Sequence, residues 1–207
     1  MSFETNVFIN CPFDEKYKLI LKPILFTIIR CGLNPKISET EDSGESRLRK
    51  IEKLIEDSKY SIHDLSRMRA TSKGELARFN MPFELGLDFG CKRFKGGEQT
   101  EKKSLILDEG KYRYHKALSD LSGNDIAFHD SNPESAIREV RNWLKKINPS
   151  HKLDSANKIW LDFNEFNTYF IIIIKQNQLN NEDIMKMPWS EYISYIIEWS
   201  DGSSKKG

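Results

Sequence analysis

Apolar residues along this chain follow two rhythms, short unbroken runs and longer stretches in which they recur every three or four positions. The runs at 6–10 (Asn6-Val7-Phe8-Ile9-Asn10), 60–65 and 103–108 are rich in β-formers, which predicts buried strands, and weaker runs at 34–38 and 125–129 bring the number to five. Between the first two, Tyr17, Ile20, Leu21, Ile24, Leu25, Ile28 and Ile29 predict a helix over 14–31, with Gly32 as its stop and a kink or a junction of two helical pieces at Pro23. Leu48, Ile51, Leu54 and Ile55 predict a second helix. A third opens at Asn80, a good N-cap, with Pro82 in its first turn and Phe83 and Leu87 at helical spacing. A short helix around 114–121 follows, then one opened by Pro133 that puts Ala136, Ile137, Val140, Trp143, Leu144 and Ile147 on one face. The polar stretches 39–45 and 66–78 read as loops.

Strands alternating with helices at this spacing predict an α/β fold, a five-stranded parallel sheet with helices on both faces in a flavodoxin-like, Rossmann-like order. Beyond residue 150 the character changes. Trp160, Phe163, Phe166, Tyr169 and Phe170, then Trp189, Tyr192, Ile193, Ile196 and Trp199, suit two helices that pack on each other or on a neighbouring subunit. The chain therefore reads as an α/β domain over 1–150 and a C-terminal helical appendage and tail over 151–207, and large apolar clusters of this kind point to a homo-oligomer.

Composition narrows the classes. A chain of 207 residues suits one well-buried domain and a small addition. The formal net charge of +1 gives no global surface for a polyanion, so nucleic acid is not implied. Cys11, Cys31 and Cys91 show neither CxxC spacing nor a His-rich partner segment, so neither a zinc site nor a disulfide framework is expected, and reduced cytoplasmic thiols fit. The first residues lack the basic and apolar regions of a signal peptide, and Ile171-Ile172-Ile173-Ile174 falls far short of the ~20 residues of a membrane span. The expected location is the cytoplasm, with no membrane partner.

Three segments meet at the carboxyl edge of such a sheet, where open α/β folds bind ligands. They are the loop Asn10-Cys11-Pro12-Phe13-Asp14, the end of the third strand with Asp64 and Ser66, and the helix start bearing Glu84. A first-turn carboxylate has two uses, as a partner of the helix dipole worth roughly 0.3–1 kcal/mol or as a site residue, and the sequence leaves both open for Glu84. Arg47, Arg67, Arg69 and Arg78 are the cations available to a phosphate, Arg47 being at a helix N-terminus, although loop arginines are ordinarily solvated. Cys11 with His63 would form a nucleophilic pair. Nothing in the sequence marks a depressed thiol pKa, so Cys11 reads as inert and buried. His115 and His129 show no ligand spacing, and Tyr112 and Tyr114 suit packing or base stacking.

A strand running into Asn10-Cys11-Pro12-Phe13, a strand ending in His63-Asp64-Leu65-Ser66, and Pro82-Phe83-Glu84-Leu85-Gly86 at a helix start together resemble the nucleoside 2-deoxyribosyltransferase-like proteins and the related TIR-like proteins of bacterial anti-phage defence. The resemblance covers roughly residues 6–147. It implies that Glu84 attacks or stabilises the sugar C1′, that Asp64 orients base or sugar, and that the turn at 10–13 lines the nucleobase pocket, where Asn10 and Cys11 replace the usual small residues. The implied activity is an N-glycosidase that cleaves the base–ribose bond of NAD or a nucleotide, taken as substrate rather than cofactor, in a toxic effector that assembles and answers to a partner protein. The alternative is a catalytically silent nucleotide-sensing module signalling to a partner. The chemistry suits these residue types, because loss of the base leaves an oxocarbenium-like centre that a nearby carboxylate stabilises or traps, while a second acid holds a hydroxyl or assists the leaving base.

Overall fold

A computed structural model describes residues 2–38, 46–68, 78–111, 118, 121 and 125–204. Five strands, β1 (Asn6–Asn10), β2 (Asn34–Ile37), β3 (Tyr60–Asp64), β4 (Lys103–Asp108) and β5 (Ile126–Phe128), form one parallel sheet in the order β2-β1-β3-β4-β5. Around it lie α1 (Lys18–Arg30), α2 (Arg47–Glu56), α3 (Asn80–Phe94), α4 (Pro133–Ile147), α5 (Ala156–Gln176), α6 (Asn181–Lys186) and α7 (Trp189–Ser204). This is the flavodoxin-like α/β architecture that the alternating pattern predicts. The helix expected around 114–121 falls mostly outside the described residues. No described helix is long and apolar enough to cross a membrane.

Every residue of β1 is buried, as a central strand covered on both faces requires. Alternation then sorts the side chains. Val7 and Ile9 join Ile62, Leu105 and Leu107 in the core under α1 and α4, whereas Phe8 packs with Ile51 and Ile55 of α2. Leu65 and Ile106 meet Met81 and Leu85 of α3. Pro23 sits inside a single continuous α1, and the carbonyl its missing N–H leaves unpaired belongs to Leu19, which is 68% exposed. At the start of α4 the Asn132 side chain accepts from the Ser135 N–H at 3.0 Å, with Pro133 in the first turn.

Two details of α3 differ from the reading of its sequence. Asn80 is its first helical residue rather than its cap, because the Phe83 N–H already bonds the Phe79 carbonyl, and Glu84 therefore stands in the second turn. The inward stripe is Met81, Glu84, Leu85 and Asp88, while Phe83 is 56% exposed. A hydrophobic count cannot see an inward face on which acids alternate with apolar residues.

The C-terminal helices number three rather than two, α6 being a six-residue helix opened by a reciprocal Asn180–Asp183 capping box. Helices α5 and α7 lie against α1 and α4 in a core that continues without a break from the sheet. Phe26 of α1 is its centre, with ring centroids 5.4 Å from Phe163 and 5.5 Å from both Phe166 and Trp199. Most of the aromatic cluster, whose spacing suits packing within the chain or on a neighbouring subunit, is thus covered within the chain. Leu161, Ile171, Ile172 and Ile197 are the large apolar side chains of α5 and α7 that remain exposed.

Candidate functional site

In the order β2-β1-β3-β4-β5 the chain changes direction between β1 and β3, and the carboxyl ends of these two strands are where open α/β sheets take ligands. Asn10 and His63 are register partners at that edge. Because neighbouring side chains on β3 point to opposite faces, His63 turns toward α3 and Asp64 toward α1.

Asp64 is sealed. Its Oδ2 accepts from the Tyr17 hydroxyl at 2.7 Å and from His129 Nε2 at 2.9 Å, and its Oδ1 accepts from the Ser66 N–H at 2.8 Å. Burial pushes this carboxyl up, but the hydrogen bonds of His129, Ser66 and Tyr17 outweigh burial and hold it below its ordinary value. With no exposed surface, it offers a ligand nothing in this conformation. Ser66, His129 and Asp64 have the composition of a hydrolytic triad without its geometry. Ser66 Oγ and Asp64 Oδ2 both meet His129 Nε2, the first at 3.0 Å, while Nδ1 accepts from the Ser131 N–H. A triad histidine must use one ring nitrogen for each partner.

Glu84 is the contrasting acid. It is 7% exposed, on the inward face of α3, and no described residue hydrogen-bonds to its carboxylate. Burial raises its pKa from 4.5 to about 6, with the Arg47 charge opposing part of the rise. The second-turn position removes the dipole reading, since the effect of a helix terminus fades within the first turn. What is left is a nearly buried acid at the carboxyl edge of the sheet, without a hydrogen-bond partner among the described residues. Arg47, the first residue of α2, is therefore brought to Glu84 as its nearest cationic influence.

The loop after β1 joins the two acids. Cys11 lies within electrostatic reach of Asp64, Glu84 and Asp14, and burial together with these three charges pushes its thiol far up. That leaves it inert as a nucleophile, and His63 is directed elsewhere, onto Asn10 and Asp88. Pro12 is buried and Phe13 exposed. Asp14 gathers two of the arginines, accepting from Arg67 Nε at 3.2 Å and pairing with Arg78 Nη1 at 3.7 Å, while its Oδ1 takes the Tyr17 N–H. Burial raises Asp14, but the Arg67 and Tyr17 hydrogen bonds prevail and lower it. Arg78 also donates its backbone N–H to the Arg67 carbonyl, so both guanidinium-bearing residues stand at one place beside the end of β3. Arg69, Tyr112, Tyr114 and His115 lie outside the described residues.

Four residues gain roles that their sequence context did not announce. Tyr17 counts in the sequence as one of the apolar positions at helical spacing, yet its hydroxyl donates to Asp64. His129 shows no metal-ligand spacing, yet it directly follows the last strand at the same carboxyl edge, a position that marks it by the rule that marks Asp64. Asp88 follows Glu84 by one helical turn, and Asp14 sits where a helix-starting acid is common. Among the described residues no group of three His, Cys, Asp or Glu side chains is placed to hold a metal ion. No family model, curated protein or solved structure matches the chain.

Proposed function

We propose that the chain is an N-glycosidase cleaving the base–ribose bond of NAD or a nucleotide, with Glu84 as its catalytic residue, in a toxic effector of anti-phage defence as the resemblance of its three motifs implies. The observation that carries this reading is Glu84 itself, a nearly buried, unpartnered carboxylate at the β1/β3 switch point. As the base departs with the electron pair of the C1′–N bond, positive charge grows on C1′ and the ring oxygen. A carboxylate in a crevice of low dielectric stabilises that charge or bonds to C1′, and water then completes the hydrolysis. At neutral pH a group with a pKa of about 6 is mostly ionised, as either role requires. Arg67 and Arg78, two guanidinium groups against the single carboxylate of Asp14, suit a phosphate or pyrophosphate, and Arg47 adds a third cation near Glu84.

Asp64 enters this scheme through Tyr17, Ser66 and His129, as the residue that shapes the crevice floor rather than one that touches substrate. The same sealing favours the second reading, a catalytically silent module that binds a nucleotide and signals to a partner, since it withdraws Asp64 from any chemistry with Glu84. Incubation of the pure protein with NAD and a panel of nucleotides, with chromatography for free base, separates the two. Release that disappears in Glu84→Gln supports the enzyme, and binding without release supports the sensor. We also propose self-association through the exposed Leu161, Ile171, Ile172 and Ile197, which light scattering of the full chain tests.

A further inference from the structure

Beneath α3 runs a chain of buried polar groups that the proposed chemistry does not use. Asp88, on the inward face of α3, receives the Ser61 hydroxyl at 2.6 Å, the Ser104 hydroxyl at 3.0 Å and His63 Nε2 at 3.0 Å, all on Oδ2. Its other oxygen stands 3.1 Å from the Lys102 ammonium, an ion pair rather than an aligned hydrogen bond. Lys102 has no exposed surface and is anchored by the Ile55 and Ser58 carbonyls. His63 is likewise fully buried, its ring held edge-on against Phe8 at 6.0 Å. On the far side of that ring, Asn10 Nδ2 lies 2.9 Å from His63 Nδ1 and 2.8 Å from the Met81 carbonyl.

The donors and acceptors of this chain allow a single arrangement. The Met81 carbonyl only accepts, so Nδ2 must be the atom that faces it. The Asp88 carboxylate also only accepts, so the His63 proton sits on Nε2 and Nδ1 is left to accept the second N–H of Asn10. Both donors of the Asn10 amide are thereby used, and the amide cannot turn over. Asn10 is only 2% exposed, and its Oδ1 takes no hydrogen bond from any described residue. A locked acceptor thus stands at the carboxyl end of β1, under the first turn of α3, and Glu84 follows Met81 by one turn on the same inward face.

We propose that Asn10 is a binding residue whose Oδ1 receives a sugar hydroxyl of a nucleotide, and that His63 and Asp88 are positioning residues that fix the direction of that oxygen. An acceptor-only oxygen repels a phosphate, whereas a hydroxyl donates to it. Asn10 Oδ1 at the end of β1 and the Glu84 carboxylate, one turn beyond Met81 on the inward face of α3, are two acceptors of the kind ribose hydroxyls donate to. The proposal rests on the reading that a nucleotide enters at the switch point, but not on its being cleaved. It shifts Asn10 from the nucleobase pocket implied by the resemblance to the sugar.

The test is calorimetric titration of the full-length protein with AMP, 2′-deoxy-AMP and 3′-deoxy-AMP. The wild-type protein is expected to bind AMP at least about tenfold more tightly than one of the deoxy forms, because a site built to bond a hydroxyl is left with an unpaired group when the hydroxyl is missing. Asn10→Ser, confirmed as folded by its thermal transition, should bring the forms within about twofold of each other, since the side chain no longer reaches the hydroxyl. His63→Gln retains an acceptor toward Asn10 and a donor toward Asp88 and should keep most of the discrimination, whereas His63→Leu should lose it. The ¹⁵N spectrum of the imidazole should show the proton on Nε2. Equal binding of all three ligands by the wild-type protein, failure of AMP to bind at all, or full discrimination in folded Asn10→Ser would each overturn the proposal, and the first two need no variant. Discrimination without any release of base would leave it standing and remove the glycosidase reading instead. Release that depends on Glu84, with no discrimination, would do the reverse.

Discussion

Replacing Glu84 with Gln should make the protein more stable at neutral pH while abolishing any activity that depends on the charge. The folded-state pKa of about 6 stands above the ordinary 4.5, so the folded protein holds a proton that the unfolded chain has released between those two values. Stability on account of this group is therefore highest below pH 4.5, falls as the pH rises to about 6, and stays low above it. A gap of about 1.5 units at 1.36 kcal/mol each is about 2 kcal/mol, and the partial access of the carboxylate to the crevice reduces this to about 1–2 kcal/mol. Gln keeps the shape and carries no charge to desolvate. For a chain of this length the gain corresponds to roughly 2–8 °C in the unfolding temperature. Differential scanning calorimetry at pH 7.5 and pH 4.0 provides the comparison, with the variant expected to be the more stable at pH 7.5 and nearly equal to wild type at pH 4.0. Base release measured in parallel should fall at least 10²-fold in the variant and, in wild type, rise with pH through about 6. A variant less stable than wild type at pH 7.5, or a stability difference that does not change between the two pH values, would refute the account of Glu84 as a buried charge without a partner.

Asp64→Asn should act on the fold, because one acceptor-only group now serves Tyr17, His129 and Ser66 and an amide would point N–H groups at donors; we expect about 2–4 kcal/mol of destabilisation by urea titration, and a wild-type stability that declines as the pH falls through the ordinary carboxylate range. Cys11→Ala should retain base release within about threefold, since a thiol pushed this far up supplies no thiolate at neutral pH, and a complete loss would revive the nucleophilic reading. A chain ending at Ser150 should aggregate or melt far below the full chain, because it removes Phe163, Phe166 and Trp199 from around Phe26 of α1, and deleting even one buried aromatic side chain from a core costs about 3–5 kcal/mol; a stable truncated protein by circular dichroism would contradict the continuous core.

The fold was legible in the sequence because backbone geometry alone sets its signals. Runs of β-formers such as residues 103–108 and the helical repeat of residues 133–147 each carry their period locally, and alternation of the two leaves a covered parallel sheet as the consistent arrangement. The carboxyl-edge rule then places Asn10, Asp64 and Glu84 together without any knowledge of distances. What the sequence could not decide was the partner of each polar group, since that depends on residues far apart in the chain. Asp64 and Glu84 look alike as acids beside short apolar runs. Only the packing gives one of them three donors, from positions 17, 66 and 129, and leaves the other without a partner among the described residues. The aromatic residues beyond position 150 likewise have the same helical spacing whether they face a second subunit or their own chain, and the choice was made by Phe26, more than a hundred residues earlier, which lies on the face of α1 that α5 and α7 cover.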